Sequence, residues 1–279
     1  MKINAKTRLF GLVGTPIRHS FSPLMHNNFF ERKKIDAVYT CFEMEPEDFR
    51  HIKRSMKTLG VCGFNVTVPY KEKIIKYLDE IDTEAAIIGA VNTVTVVDGR
   101  FKGYNTDGAG FIASLKERAG FDPQGKYAVI IGCGGASRAL AAYLLKEKIS
   151  FLGLCDVNKK AALKLKNELS EHYGPSCIYV YDDSSQIDLN GVDMLINATG
   201  LGRKASDPEV IEHKKLHKDL FVYDLIYAVD SAIIKAARKK GCRTMNGLWM
   251  LIYQGLKAQE IWQKKKFPGA EKILLEGIK

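Results

Sequence analysis

A glycine-rich turn in the middle of the chain constrains the fold more than any other sequence feature. The segment from Tyr127 to Arg138, YAVIIGCGGASR, is typical of a short apolar strand, a tight turn and the start of a helix. Backbone N–H groups at such a helix start bind a pyrophosphate, and the glycines allow a cofactor to approach the main chain. About 130 residues precede Gly132, enough for a separate domain that holds a substrate. The pattern predicts a two-domain oxidoreductase.

The composition allows two hydrophobic cores and gives the surface an excess of positive charge. The chain has 279 residues, 46% of them apolar, and a formal net charge of +10. Because the lysines are widely spread, with one run at 264–266, we interpret this charge as a lysine-rich surface and not as a nucleic-acid site. No segment reaches the ~18 apolar residues of a membrane span, and the N-terminus has no signal-peptide core. We expect a cytoplasmic protein without a membrane or nucleic-acid partner.

The cysteines and histidines show no pattern typical of a metal site. The six cysteines have no CxxC spacing, and most lie in apolar runs, so we expect buried free thiols. His213 and His217 have the spacing of a helical metal pair, but no third ligand accompanies them. We therefore predict a solvated pair and no bound metal.

Strand and helix patterns alternate along the whole chain. Ser22 is expected to cap a helix with Pro23 in its first turn, and Asp98-Gly99 to form a hairpin turn. Predicted strands lie at 9–13, 38–42, 61–66, 91–97, 101–104, 128–131, 151–155, 178–181, 194–197 and 221–224. Predicted helices lie at 46–57, 71–81, 84–88, 107–119, 136–146, 159–172, 231–240 and 247–264.

The regular alternation in the second half predicts an α/β fold with a parallel, doubly wound Rossmann-type sheet. We expect a dinucleotide-binding domain at 107–246. The substrate-binding domain, also α/β, is expected to comprise 1–106 and 247–279, because the last long helix is expected to return to it.

A carboxylate after the next predicted strand strengthens the interpretation of the glycine turn. Asp156 lies about 20 residues beyond that turn, where a carboxylate accepts hydrogen bonds from the adenosine ribose and repels a 2′-phosphate. Val157 and Asn158 follow it, and no arginine is present to bind that phosphate. We predict NAD as the cofactor, with NADP as the second option. A helix-capping role for Asp156 is compatible with this prediction.

Six ordered motifs give the chain a family resemblance over nearly its whole length: SFS at 20–22, NVTVPYK at 65–71, GAVNT at 89–93, NTDG at 105–108, GGASR at 134–138 and GLWMLIYQ at 247–254. Together they closely resemble the shikimate dehydrogenases. The resemblance implies reduction of the C3 carbonyl of 3-dehydroshikimate by a nicotinamide cofactor, within aromatic amino acid and chorismate biosynthesis by the shikimate pathway.

The resemblance also implies roles for individual residues. Lys71 matches the lysine that exchanges a proton with the reacting oxygen, and Asp107 matches its aspartate partner. Without the resemblance, Lys71 would be interpreted as a surface lysine and Asp107 as a helix cap. The other matches bind the substrate carboxylate (Ser20, Ser22 and Tyr227), the ring hydroxyls (Thr67, Asn92 and Gln254) and the cofactor (Gly132, Cys133, Gly134, Gly135, Ala136, Asp156, Val157, Asn158, Thr199, Leu225 and Gly247).

The segment after the second cofactor strand departs from the common family pattern. Many biosynthetic members have Asn-Arg-Thr there, whereas this chain has Cys-Asp-Val-Asn at 155–158, closer to the NAD-using quinate/shikimate branch. A quinate/shikimate dehydrogenase working in the oxidative direction is therefore the main alternative. A dehydrogenase of one-carbon folate or pterin adducts is less favoured because of Ser20, Ser22 and Lys71. A non-catalytic dinucleotide sensor is less favoured because it needs neither Lys71 nor Asp107. A homodimer is left open.

Overall fold

A mixed sheet forms the centre of the first unit. In the computed structural model, which describes residues 2–204 and 206–278, its strand order is β2-β1-β3-β5-β6-β4. The first three strands in this order run parallel, and β5 pairs antiparallel with both β3 and β6. The strands are β1 (Arg8–Gly14), β2 (Ala37–Glu43), β3 (Val61–Val66), β4 (Glu80–Ile81), β5 (Thr93–Val97) and β6 (Arg100–Tyr104); the helices are α1 (Ser22–Arg32), α2 (Ile52–Thr58) and α3 (Thr83–Ile88).

A fully parallel sheet forms the centre of the second unit, in the order β12-β11-β10-β7-β8-β9. From β7 the chain adds β8 and β9 on one side of the sheet, and from β10 it adds β11 and β12 on the other side. The boundary between β7 and β10 is therefore the switch point, where doubly wound sheets bind ligands. The strands are β7 (Tyr127–Ile131), β8 (Phe151–Cys155), β9 (Ile178–Val180), β10 (Met194–Asn197), β11 (Phe221–Asp224) and β12 (Arg243–Asn246). The remaining helices are α4 (Asp107–Ala113), which continues as a π-helix (Ser114–Ala119), α5 (Gly135–Lys146), α6 (Lys159–Tyr173), α7 (Ala232–Lys239), α8 (Leu248–Gln263) and α9 (Glu271–Glu276). The predicted α/β class and Rossmann-type sheet are confirmed.

The chain divides into two compact units, Met1–Gly110 with Ile252–Lys279 and Phe111–Leu251. The two boundaries predicted from the sequence, 106/107 and 246/247, each lie a few residues earlier. The difference arises because α4 and α8 begin in one unit and end in the other, so that no loop marks either boundary.

Four local predictions were wrong. The segment 71–81 forms a short 3-10 helix (Lys73–Tyr77) and then β4, because Asp79 N–H bonds to Phe101 O and pairs this segment with β6. The helix predicted at 46–57 begins later, as a 3-10 turn at Phe49–His51 followed by α2. Ser22 is the first residue of α1 and makes no capping hydrogen bond. Cys41, Cys62 and Cys177 are half-buried, although all six cysteines are free.

A buried histidine lies in the aromatic core of the first unit. The His26 ring is fully buried, stacks on Tyr39 at 4.4 Å between ring centroids, and lies 5.5 Å from Trp262. Its Nδ1 accepts from the side-chain amide of Gln259 at 2.8 Å. Burial lowers the pKa of His26 to about 3 because the protonated ring would lose its hydration.

We expect this histidine to make the folded state sensitive to acid. Its unfolded pKa is about 6.5, so below that pH the unfolded chain gains a proton that the folded chain excludes until about pH 3. Stability is therefore full above pH 6.5 and falls as the pH is lowered, by about 1 kcal/mol between pH 7 and 5.5. Urea unfolding at both pH values measures the loss. The His26→Gln variant should lose less stability between the two pH values, whereas the variant at exposed His51, His51→Gln, should lose as much as the wild type. Equal losses in all three proteins would contradict the assignment of the acid sensitivity to His26.

Candidate active site

A lysine and an aspartate form a largely buried ion pair in the first unit. Lys71 follows β3 and its turn, and Asp107 is the first residue of α4. Lys71 Nζ donates to Asp107 Oδ2 at 2.6 Å, with the two side chains 14% and 6% exposed. The backbone at Lys71 is fixed as well, since its carbonyl accepts from Val91 N–H at 2.8 Å. The amine is thus held beside a carboxylate with little access to water, an arrangement suited to general acid–base chemistry.

The carboxylate of Asp107 is oriented through both of its oxygens. Oδ2 binds Lys71, while Oδ1 accepts from the amide of Asn92 at 2.8 Å. The backbone N–H of Asp107 donates to Asn105 Oδ1 at 3.0 Å, and the amide of Asn105 donates to Ala90 O at 2.9 Å. Asp107 therefore has one defined orientation. A residue that directs a neighbouring amine needs to be fixed in this way.

Asn92 joins the candidate catalytic pair to the residues expected to bind ring hydroxyls. It is 2% exposed, and its amide nitrogen also lies 2.9 Å from Thr106 Oγ1 and 3.3 Å from Gln254 Oε1. Thr106 N–H donates to Asn92 Oδ1 at 2.8 Å. Gln254, on α8, is itself buried, so these contacts satisfy an amide that would otherwise be costly to bury. The structure thus brings Lys71, Asp107, Asn92 and Gln254 together.

The two serines expected to bind a carboxylate contact each other. Ser20 Oγ donates to Ser22 Oγ at 3.1 Å and accepts from Ser22 N–H at 3.2 Å. Burial raises the pKa of the nearby Tyr39 phenol well above its usual range, and hydrogen bonding by Ser22 opposes part of the rise. Thr67 directly follows β3, where its N–H donates to Val13 O at 2.9 Å.

The glycine turn of the second unit is shaped to hold a dinucleotide. Gly132 has a φ of +97°, and a Cβ there would lie 2.8 Å from the carbonyl carbon of Ala198. Gly134, in contrast, is exposed, and a Cβ on it would meet no atom within 4 Å. Helix α5 begins at Gly135, and Ala136 lies in its first turn, whose N–H groups have no acceptor within the helix. The open side of the turn therefore fits a pyrophosphate.

Asp156 braces this turn from the end of β8. Its Oδ2 accepts from Cys133 N–H at 2.6 Å and its Oδ1 from Asn158 N–H at 2.8 Å. The N-cap residue of α6 is Asn158. Asp156 therefore does not have the helix-capping role that its sequence position allowed. Each carboxylate oxygen retains a second lone pair for a ribose hydroxyl. Val157, whose side chain is fully exposed, offers an apolar surface beside it.

The remaining residues expected to contact the cofactor lie in turns after neighbouring strands. Thr199 follows β10, where its N–H and hydroxyl donate to Asn197 Oδ1 at 3.1 and 2.7 Å. Leu225 follows β11, and a Cβ on Gly247 would lie 2.2 Å from its carbonyl oxygen. Tyr227 belongs to this second unit, and burial raises the pKa of its phenol.

Several polar residues that organise these sites were missed by sequence reasoning. In the second unit, buried Asp224 accepts from Ile226 N–H at 2.9 Å and from the Asn197 amide at 3.2 Å, and burial raises its pKa. In the first unit, Tyr39, Asn65 and Thr93 support Asn92. Asn65 and Thr93 lie in the motifs at 65–71 and 89–93 but were given no role there. Tyr39 has only the signal of a polar group at an inward strand position, which also describes an ordinary core tyrosine.

The histidine pair does not form a helical metal site. His213 starts a 3-10 turn and bonds to Glu209 at 3.1 Å, while His217 Nε2 lies 2.9 Å from Leu189 O. Within residues 2–204 and 206–278, no cluster of three or more metal-ligating side chains is found. No helix in these ranges is long and apolar enough to cross a membrane.

Comparisons with known proteins agree with this arrangement. Residues 12–94 match the model of the shikimate dehydrogenase substrate-binding domain. The chain is 43% identical over 265 residues to a shikimate dehydrogenase (NADP(+)) of Methanocaldococcus jannaschii, covering 93% of each protein. It superimposes with a TM-score of 0.91 on shikimate dehydrogenase from Aquifex aeolicus (36% identity, all of both chains). It also superimposes with a TM-score of 0.87 on shikimate 5-dehydrogenase from Listeria monocytogenes in complex with shikimate and NAD (32% identity, covering 99% of this chain and 98% of that one).

Proposed function

The chain belongs to the shikimate dehydrogenase family, and from this we propose that it catalyses the reversible reduction of 3-dehydroshikimate to shikimate with NAD as the favoured cofactor. The family resemblance of the sequence is thereby confirmed, as is an NAD(P)-dependent oxidoreductase acting on a CH–OH group. The observation that carries the proposed reaction is the Lys71–Asp107 pair, held at 2.6 Å in a buried polar environment.

The proposed chemistry needs one proton and one hydride. The nicotinamide of the cofactor, when bound, supplies or accepts the hydride at C3. In the direction of reduction, the Lys71 ammonium gives a proton to the C3 oxygen as the carbonyl becomes a hydroxyl; in the direction of oxidation, its neutral amine takes that proton back. Asp107 holds the amine in one orientation through the 2.6 Å hydrogen bond, so that the group that exchanges the proton is fixed in place.

The proposed binding roles follow from hydrogen-bonding capacity. Ser20 and Ser22 place two hydroxyl donors within 3.1 Å of each other, a spacing suited to the two oxygens of a carboxylate. Asn92, Gln254 and Thr67 supply groups for ring hydroxyls, and Tyr227 is proposed as a further contributor from its match to the family motif.

The choice of NAD over NADP is proposed from Asp156, although the curated relative above is named as an NADP(+) enzyme. A negative charge at the end of β8 repels a ribose 2′-phosphate and accepts hydrogen bonds from free ribose hydroxyls. The neighbouring Val157 and Asn158 offer no positive charge to compensate. The same segment favours a second candidate function, oxidation of quinate with NAD, in which the site also accepts a saturated ring and a C1 hydroxyl.

Initial rates on a grid of shikimate and quinate against NAD and NADP test both candidates. We expect kcat/KM for shikimate with NAD to exceed that with NADP by tenfold or more, about the effect of one unfavourable charge contact, and quinate to be a poor substrate. Comparable values on quinate and shikimate would favour the quinate candidate, and a tenfold preference for NADP would overturn the cofactor assignment.

The free thiols fit the proposed cytoplasmic location. Light scattering on the same preparation tests for a homodimer.

A further inference from the structure

The hydroxyl of Tyr39 begins a series of buried hydrogen bonds that ends at the candidate catalytic pair. Tyr39 is on β2, is 2% exposed, and is held by stacking of its ring on His26. Its hydroxyl donates to Asn65 Oδ1 at 2.8 Å. Tyr39 therefore contacts a residue that supports Asn92.

The direction of these hydrogen bonds is determined by chemistry. Asn65 lies 3.1 Å from the carbonyl oxygen of Asn92, which can only accept, so the Asn65 atom facing it is the amide nitrogen. The other amide atom of Asn65, its oxygen, then faces Tyr39 and must accept from the phenol. The single phenolic proton of Tyr39 is therefore used in its bond to Asn65.

The same direction continues to the carboxylate of Asp107. The Asn65 amide donates to Thr93 Oγ1 at 3.0 Å, and Thr93 Oγ1 donates to Asn92 Oδ1 at 3.0 Å. The amide of Asn92 then donates to Asp107 Oδ1 at 2.8 Å. These five residues form a buried polar network (Tyr39, Asn65, Thr93, Asn92 and Asp107), in which each donor bond points towards the one negative charge at its end. Aligned bonds of this kind polarise and strengthen one another.

We propose that Tyr39 is a positioning residue for the reaction: its hydroxyl fixes the amide of Asn65 and, through Thr93 and Asn92, the orientation in which Asp107 holds Lys71. The inference rests on the proposed function, because it assigns Tyr39 to the same Lys71–Asp107 pair. Tyr39 itself is separated from Lys71 by the whole polar network. Its effect is therefore indirect and concerns the turnover step more than the strength of substrate binding.

The test uses Tyr39→Phe, which removes the hydroxyl and retains the ring that stacks on His26. Asn65 Oδ1 then loses its donor in a buried site, so the amide is free to reorient and Asp107 is held less firmly. We expect kcat for shikimate oxidation to fall about tenfold, as for a small misplacement of a catalytic group, with KM changed less than twofold. Tyr223→Phe is the matched control, because it also removes a buried hydroxyl, one bonded to Ser114 in the second unit at 2.9 Å. It should lose similar stability and keep its kcat.

A second readout needs no substrate and separates this inference from the proposed function. Amine acetylation of Lys71, followed by peptide mass spectrometry on the ligand-free protein, reports how firmly Asp107 holds the amine. We expect labelling about threefold faster in Tyr39→Phe than in the wild type or Tyr223→Phe, in line with a loosened ion pair. If no variant turns over shikimate, the proposed function fails, while faster labelling still supports the positioning role.

The remaining outcomes are equally decisive. An unchanged labelling rate, a rise in KM alone, or an equal loss of kcat in Tyr223→Phe would each overturn the inference. Asn65→Leu provides an independent variant if Tyr39→Phe does not fold. Adding Tyr39→Phe to Asn65→Leu should cause no further loss of kcat, because the phenol acts through that amide; additive losses would contradict the proposed route.

Discussion

Replacement of Lys71 by alanine is expected to lower kcat by ~10² or more while leaving KM for shikimate nearly unchanged. The reason is that the proposed proton exchange occurs at Lys71 Nζ, whereas the carboxylate and ring hydroxyls of the substrate are proposed to bind other residues. Steady-state rates in both directions, measured with saturating NAD or NADH, check the prediction. A rise in KM with kcat unchanged would make Lys71 a binding residue and contradict the mechanism.

Two controls separate chemistry from structural damage. Alanine at position 71 leaves the buried carboxylate of Asp107 without its positive partner, which also costs stability. Lys71→Met retains most of the side-chain volume and should lose as much activity, so thermal unfolding of the two variants shows how much of the loss is structural. The control for loss of a lysine is Lys73→Ala, because Lys73 is exposed and lies two residues further along the chain. This variant should retain wild-type kcat and KM.

The second large effect is expected at Asp156, where serine should shift the ratio of kcat/KM with NADP to that with NAD upward by about 10-fold to 100-fold. Removing the carboxylate abolishes repulsion of the 2′-phosphate and weakens binding of the free ribose. The variant also loses the brace between Asp156 and the N–H of Cys133, so we expect affinity for both cofactors to decrease in absolute terms. Initial rates over a range of each cofactor give the two ratios.

Asparagine at position 156 distinguishes the charge from the brace. Asp156→Asn retains an oxygen that can accept from Cys133 N–H but has no negative charge, so it should shift the cofactor ratio with a smaller general loss of affinity. Asp182, an exposed carboxylate on the segment after β9, provides the control variant, Asp182→Ser. Should Asp182→Ser change the ratio as much as Asp156→Ser does, long-range charge and not ribose recognition would explain the result.

The sequence predicts the second unit more accurately than the first, for a physical reason. Buried parallel strands such as 151–155, 194–197 and 221–224 are short apolar runs between helices, and the structure has each of them with the predicted bounds. In the first unit, 71–81 has the periodicity of a helix, yet pairing with β6 draws its last residues into a strand. Local periodicity does not reveal such a long-range contact.

The candidate site shows the same limit at the level of side chains. Family motifs pointed to Lys71, Asp107, Asn92 and Gln254, and the structure brings these four together; their catalytic and binding roles stay predictions. Tyr39 was missed because a tyrosine in an alternating strand has the same pattern whether its hydroxyl is a structural group or a link in a network. Ser22 was expected to cap a helix, and the three-dimensional structure was needed to show that its hydroxyl contacts Ser20 instead.

The contrast between the glycine turn after β7 and the segment after β8 bears on how cofactor preference can be changed. Gly132 is pressed against the backbone of Ala198, so almost any other residue there would disturb the sheet itself. Val157 projects wholly into water, and exchanging it is nearly free of consequences for folding. An arginine introduced at position 157 is therefore a low-cost way to attract a 2′-phosphate, whereas no comparable change is open at position 132.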